Sequence, residues 1–141
     1  MRWFSALLLV LYAAFVARLT LANPSAGRPV FSAANYWGEL LSGGRLSGSQ
    51  LEMLANVALF VPAGLLVAIV LRRAFLAIAL CVLASAAIEL SQREWFPSRV
   101  PSIADVVHNG YGAVIGVLIF AVVGWGIRWL NGPSHSAGQP A

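Results

Sequence analysis

The 141 residues predict an all-α integral membrane protein, a bundle of about four transmembrane helices. Three observations carry that prediction. Hydrophobic residues make up 60% of the chain and charged residues 10%, where a soluble domain carries about 25% charged residues. Mean hydropathy is +0.81. Four apolar runs, 3–22, 51–71, 74–90 and 104–130, have the lengths expected of helices crossing about 30 Å of hydrocarbon, which takes about 20 residues.

The first run, within residues 1–22, reads as the first transmembrane helix. Thr20-Leu21-Ala22 also resembles the small-residue cleavage site of a signal peptide. Against cleavage stand a single Arg2 as n-region, a long apolar core, and Arg18 just before the site. Residues 23–50 follow as an outer loop rich in Gly, Ser and Pro. Within it NYWGELL, residues 35–41, sets Tyr36 and Trp37 beside apolar residues and is compatible with a short helix in the interface.

Residues 51–130 hold the remaining three spans. Only Arg72 and Arg73 separate the second from the third, which makes them a helical hairpin with a basic turn. The run 74–90 is short and is expected to extend to about Arg93, whereas 104–130 is long and should tilt or project. Residues 131–141 are expected to form a disordered tail, because GPSHSAGQPA is dominated by Gly, Pro and Ser. No internal repeat is visible.

The net charge is +4, and all nine basic residues are arginines at scattered positions with no basic face. That distribution argues against nucleic acid as a partner. The tendency of short basic loops to stay inside puts the Arg72-Arg73 turn in the cytoplasm, with Arg2 and Arg128. The expected protein is therefore multi-pass in the cytoplasmic (inner) membrane, with both termini inside and both long loops outside. Cys81 is the one cysteine, so no disulfide can form within the chain.

Several polar residues interrupt the apolar pattern. Two helix starts carry [ST]-x-x-[DE], Ser49 with Glu52 and Ser102 with Asp105, and both read as capping boxes. Seven residues beyond each serine stands an asparagine, Asn56 and Asn109, each about 10 Å along its helix. Asp105, Asn109, Gly112 and Gly116 follow at spacings of 4, 3 and 4 and share one face, as do Ser85, Glu89 and Gln92. Gly112-x-x-x-Gly116 lets a neighbouring helix approach closely, which turns the polar end of that stripe into the bundle.

Three helices thus bring Asn56, Glu89, Gln92, Asp105 and Asn109 towards one shallow outward pocket, with Arg99 in the connecting loop able to fold over its mouth. An ionisable residue inside a span costs about 2.5–3.5 kcal/mol on insertion scales and faces a cavity or a partner. For Glu89 the alternatives are an ion pair with Arg18, Arg93 or Arg99, a contact with a ligand or a catalytic role, and snorkelling to the interface. For Asp105 the helix cap is a sufficient reason in itself. His108 has no second ligand at convincing spacing, so no zinc or other metal site is expected, and no cofactor.

Asn56-Val-Ala-Leu-Phe60-Val-Pro62-Ala-Gly64, then Glu89-Leu-Ser-Gln92, Phe96-Pro97-Ser-Arg99, and Asp105 with Asn109, Gly112 and Gly116, together resemble the VanZ-like family of bacterial membrane proteins. The resemblance runs over about residues 51–123. It departs from the family pattern at Ser102 and Ala104, where relatives often carry acids. Ser102 can replace aspartate as a helix cap; Ala104 can replace an acid in no role. This weakens any divalent-cation site, since only Glu89 and Asp105 remain as anionic ligands. The resemblance implies a role in the cell envelope, because the family's named member is associated with low-level teicoplanin resistance.

Three functions remain open on the sequence. The first is an envelope accessory protein that binds an amphiphile, such as a lipid-linked envelope intermediate. There Arg99 would meet phosphate or carboxylate, Asn56, Gln92 and Asn109 would orient the head group, and Gly64, Gly112 and Gly116 would pack the helices. The second is an intramembrane enzyme acting on a lipid-linked or phosphate-bearing substrate, with Glu89 and Asp105 as catalytic candidates and Arg99 stabilising negative charge. The third is a structural subunit held to a membrane-protein partner. Membrane lipids are partners in every case.

Overall fold

The computed structural model describes residues 2–21, 24–95 and 102–131, except for the side chains of residues 2, 24–31 and 34. It contains five helices: α1 Arg2–Leu21, α2 Pro24–Ser42, α3 Gly48–Leu71, α4 Ala74–Trp95 and α5 Ile103–Leu130. Four of these, α1, α3, α4 and α5, are long and apolar enough to cross a membrane. No strand occurs among the described residues.

The segment expected as an outer loop, with a short helix at residues 35–41, is helix over Pro24–Ser42. α2 ends in a Schellman motif: Gly44 N–H donates to the carbonyl of Glu39 at 2.9 Å and Gly43 N–H to that of Leu40 at 3.3 Å. Both glycines have positive φ, 63° and 74°, a conformation that costs a glycine little. α3 then starts two residues earlier than the sequence pattern suggests. Its cap is Ser47, with extended φ of −74° and ψ of 160°, and the reciprocal box closes with Gln50. Ser49 and Glu52 do not form the expected box; Glu52 is exposed.

The α3–α4 hairpin is as short as its two arginines allow. Arg72 takes the left-handed conformation, φ 55° and ψ 27°, and its N–H returns to the carbonyl of Ala68 at 2.8 Å. Arg73 already accepts the first α4 bond, from Ala77 N–H. α4 continues to Trp95, past the end expected near Arg93.

α3 is the centre of the bundle. It touches α1, α2, α4 and α5, and among the described residues α1 does not reach α5. The densest seam joins α3 to α5, which run parallel. A Cβ placed on Gly64 would stand 2.7 Å from Ala113 Cα, one on Gly112 would stand 2.9 Å from Phe60 Cβ, and one on Gly116 would stand 2.6 Å from Leu65 N. At that separation no side chain fits between the two backbones, and an added carbon on Gly112 or Gly116 would collide with the carbonyls of Val57 and Val61. α4 closes the third side with two small cores, Phe60 with Cys81 and Ala113, and Ala68 with Ala77 and Val117.

Pro62, inside α3, has no N–H to give the carbonyl of Ala58. One residue on, the carbonyl of Leu59 accepts from the Tyr12 hydroxyl of α1. The hydroxyl adds an interhelical bond one residue from the carbonyl that proline leaves without its donor. Trp3, Trp125 and Trp129 stand exposed at one end of the spans and Trp37 and Trp95 towards the other, the distribution that places indoles at the two membrane surfaces.

Candidate functional site

Four helix ends meet on one side of the bundle: the end of α1, the start of α3, the end of α4 and the start of α5. This is the loop end, opposite the Arg72-Arg73 hairpin. The polar side chains of the spans converge here as a layer of interhelical hydrogen bonds.

Asn56 of α3 donates through Nδ2 to Asp105 Oδ1 of α5 at 2.9 Å. Asn109, one turn deeper on α5, donates through Nδ2 to Ser85 Oγ of α4 at 2.8 Å. The two asparagines, matched in depth by sequence, therefore turn to different helices. Ser85 is fully buried and Asn109 is 7% exposed. Asn109 Oδ1 is buried without a partner among the described residues, as is Nδ1 of His108.

Glu89 of α4 accepts through Oε2 from the backbone N–H of Ser102 at 3.0 Å. Among the described residues its partner is thus a helix start, not an arginine. This bond also revises the expected capping box on α5. Ser102 does accept from Asp105 N–H, at 3.4 Å, but the reciprocal bond comes from Glu89 instead of Asp105, whose carboxylate is taken by Asn56. Both carboxylates lie at the positive end of the α5 dipole, where negative charge is favoured by about 0.3–1 kcal/mol each.

Gln92, 7% exposed, donates through Nε2 to the carbonyl of Thr20 at 2.9 Å. It satisfies one of the last carbonyls of α1, which have no partner within their own helix. The Thr20 hydroxyl turns back to the carbonyl of Val16 at 2.8 Å. Arg99 lies outside the described residues, as does the tail from residue 132. No group of three His, Cys, Asp or Glu side chains suited to a metal stands together among the described residues. A recess beside the layer, lined by Leu90, Ser91, Arg93, Glu94 and Trp95, contains Arg93 and Glu94 but none of the layer's bonding side chains.

Of the six polar candidates, five join this layer, each on a partner that spacing within one helix does not reveal. Ser85 had a sequence signal, since it shares a face with Glu89 and Gln92. Tyr12 had only that of a lone hydroxyl in an apolar run.

The family model described as VanZ/LLP1 matches residues 4–124, which is most of the chain. No curated protein and no solved structure matches. The chain belongs to the VanZ/LLP1 family and is a multi-pass membrane protein.

Proposed function

We propose that this VanZ/LLP1 family member is a cell-envelope accessory protein that holds the polar head of an amphiphile, such as a lipid-linked envelope intermediate, at the loop end of α3, α4 and α5. The observation that carries the reading is surplus acceptor capacity. Glu89 and Asp105 each spend one oxygen on a partner, and Asn109 Oδ1 is buried with none among the described residues. Helix packing alone would be served by apolar side chains, and a buried unpaired oxygen costs about 1–3 kcal/mol.

Arg99 completes the site in this reading. It precedes Ser102 by three residues, a contour of about 10 Å, and Glu89 holds the N–H of Ser102. The Glu89 bond therefore holds Ser102, three residues along the chain from Arg99, at the polar layer. A guanidinium fork there suits phosphate or carboxylate, while the free acceptors suit hydroxyl or amine groups on the same head.

The loop end faces outward in this reading. The hairpin end carries Arg2, Arg72, Arg73 and Arg128, and the other five arginines fall in or beside the long loops, so the reading rests on the short turn. The tight Arg72-Arg73 turn is the kind of short basic loop that stays in the cytoplasm. An outward site suits a part in teicoplanin-type glycopeptide tolerance, since those compounds act outside the membrane.

Native mass spectrometry of gently extracted protein tests the proposal. Wild type is expected to carry a lipid adduct that Arg99→Ala loses. Identical adduct patterns in both would overturn it. In cells, teicoplanin susceptibility of a deletion strain complemented with either form tests the envelope role, with rescue expected from wild type alone.

A further inference from the structure

α2 belongs to none of the four spans, yet it is 19 residues long, about 28 Å at 1.5 Å per residue. It does not cross. α1 delivers the chain to the loop end, where the carbonyl of Thr20 meets Gln92, and α3 starts at the same end, since its Asn56 reaches Asp105 near the start of α5. A helix whose two ends lie on one side of the bundle runs along that side.

Its faces differ in chemistry. At about 100° per residue Tyr36, Trp37, Leu40 and Leu41 share one sector, and they are 62%, 57%, 58% and 85% exposed. Tyr36 and Trp37 meet edge to face, with centroids 5.6 Å apart and planes at 76°. Asn35, Glu39 and Ser42 fall on the opposite sector. Gly38 lies between the two and faces α3, where an added Cβ would collide with the side chain of Leu51. Leu51 itself is buried.

We infer that α2 is a membrane-surface helix whose Tyr36–Trp37–Leu40–Leu41 face is covered by lipid at the level of the head groups, docked on the start of α3 through Gly38. The bilayer is the occupant because both ends of α2 lie at the end of the bundle where the spans emerge, and its exposed face sets Tyr and Trp beside two leucines. An amphipathic helix bearing Tyr and Trp settles there, about 5–10 Å into the head-group boundary. Glu39 then points to water.

Site-directed spin labelling in phosphatidylethanolamine–phosphatidylglycerol vesicles tests this, with Cys81→Ala as background. Tyr36→Cys and Leu41→Cys labels are expected to be reached by oxygen and shielded from a water-soluble nickel chelate, and Glu39→Cys to show the reverse. All three positions are exposed, so the labels do not disturb packing. Equal nickel access at all three would overturn the inference, as would labels at 36 and 41 shielded from both reagents, which would mean a protein surface covers the face. Gly38→Leu gives a second reading: it should undock α2 from Leu51 and raise nickel access at position 41. Unchanged access would overturn the docking through Gly38.

Discussion

The α3–α5 contact is built in two ways along its length. Towards the hairpin end, Gly64, Gly112 and Gly116 let backbone meet backbone, and nothing but shape is specified. Towards the loop end, the same two helices are joined by the Asn56–Asp105 hydrogen bond, and α4 adds Ser85 to Asn109 and Glu89 to Ser102. The glycine seam uses every contact it makes for packing. The polar layer contains more acceptors than packing consumes, and the proposed head-group site rests on that difference.

The sharpest way to break the comparison is to fill the seam. Gly116→Leu would press on Val61, Gly64 and Leu65 backbone atoms that cannot move aside. It is expected to cost about 3 kcal/mol or more and to lower the melting temperature in detergent by about 5–10 °C, or to prevent monodisperse extraction. Gly110→Ala is the control. Its added carbon meets only Val82 Cγ2, at 3.5 Å, and the helix should gain about 0.5–1 kcal/mol. Equal destabilisation by both would show that the seam has no special closeness.

In the polar layer the effects are smaller. Asp105→Ala leaves the Asn56 amide without its acceptor and is expected to cost about 1–2 kcal/mol. A double-mutant cycle with Asn56→Ala, read by denaturation in mixed micelles, should give a coupling of about 0.5–1.5 kcal/mol; strict additivity would dissolve the bond. Ser85→Ala should cost about 0.6–1 kcal/mol, because it strands the Asn109 amide.

Glu89→Gln is expected to change stability least, by about 0.5 kcal/mol or less, since an amide oxygen still accepts from Ser102 N–H. It separates the readings of the layer. Loss of a bound lipid with stability retained favours head-group binding through charge. Retained lipid binding, with loss of turnover on an identified lipid substrate, favours catalysis. No change in either favours a structural layer.

Much of the architecture was legible in sequence. The spans, the two-arginine hairpin and the shared face of Gly112 and Gly116 rest on properties of one helix at a time. The helical loop was legible in part. Residues 35–41 read as a short interfacial helix, because Tyr36 and Trp37 stand beside apolar residues, but the stretch from residue 24 has too much Gly, Ser and Pro for the helix to be read back to Pro24. The α3 start was misplaced by two residues because Ser47 and Ser49 compete for the cap. The conformation of Ser47 behind the Gly43-Gly44 turn decides between them.

Sequence by itself determined that the chain crosses a membrane in helices, and which faces are polar or small, because hydropathy and spacing act locally along the backbone. Tertiary structure decided who bonds to whom. Asn56 took Asp105 instead of lying beside Asn109. Glu89 supplied the bond that Asp105 was expected to return to the α5 cap, and Gln92 closed the end of α1. A hydrogen bond between helices depends on their relative rotation and offset to within about an ångström. Those are set by how closely the glycine seam lets α3 and α5 approach, which no spacing within a single helix contains.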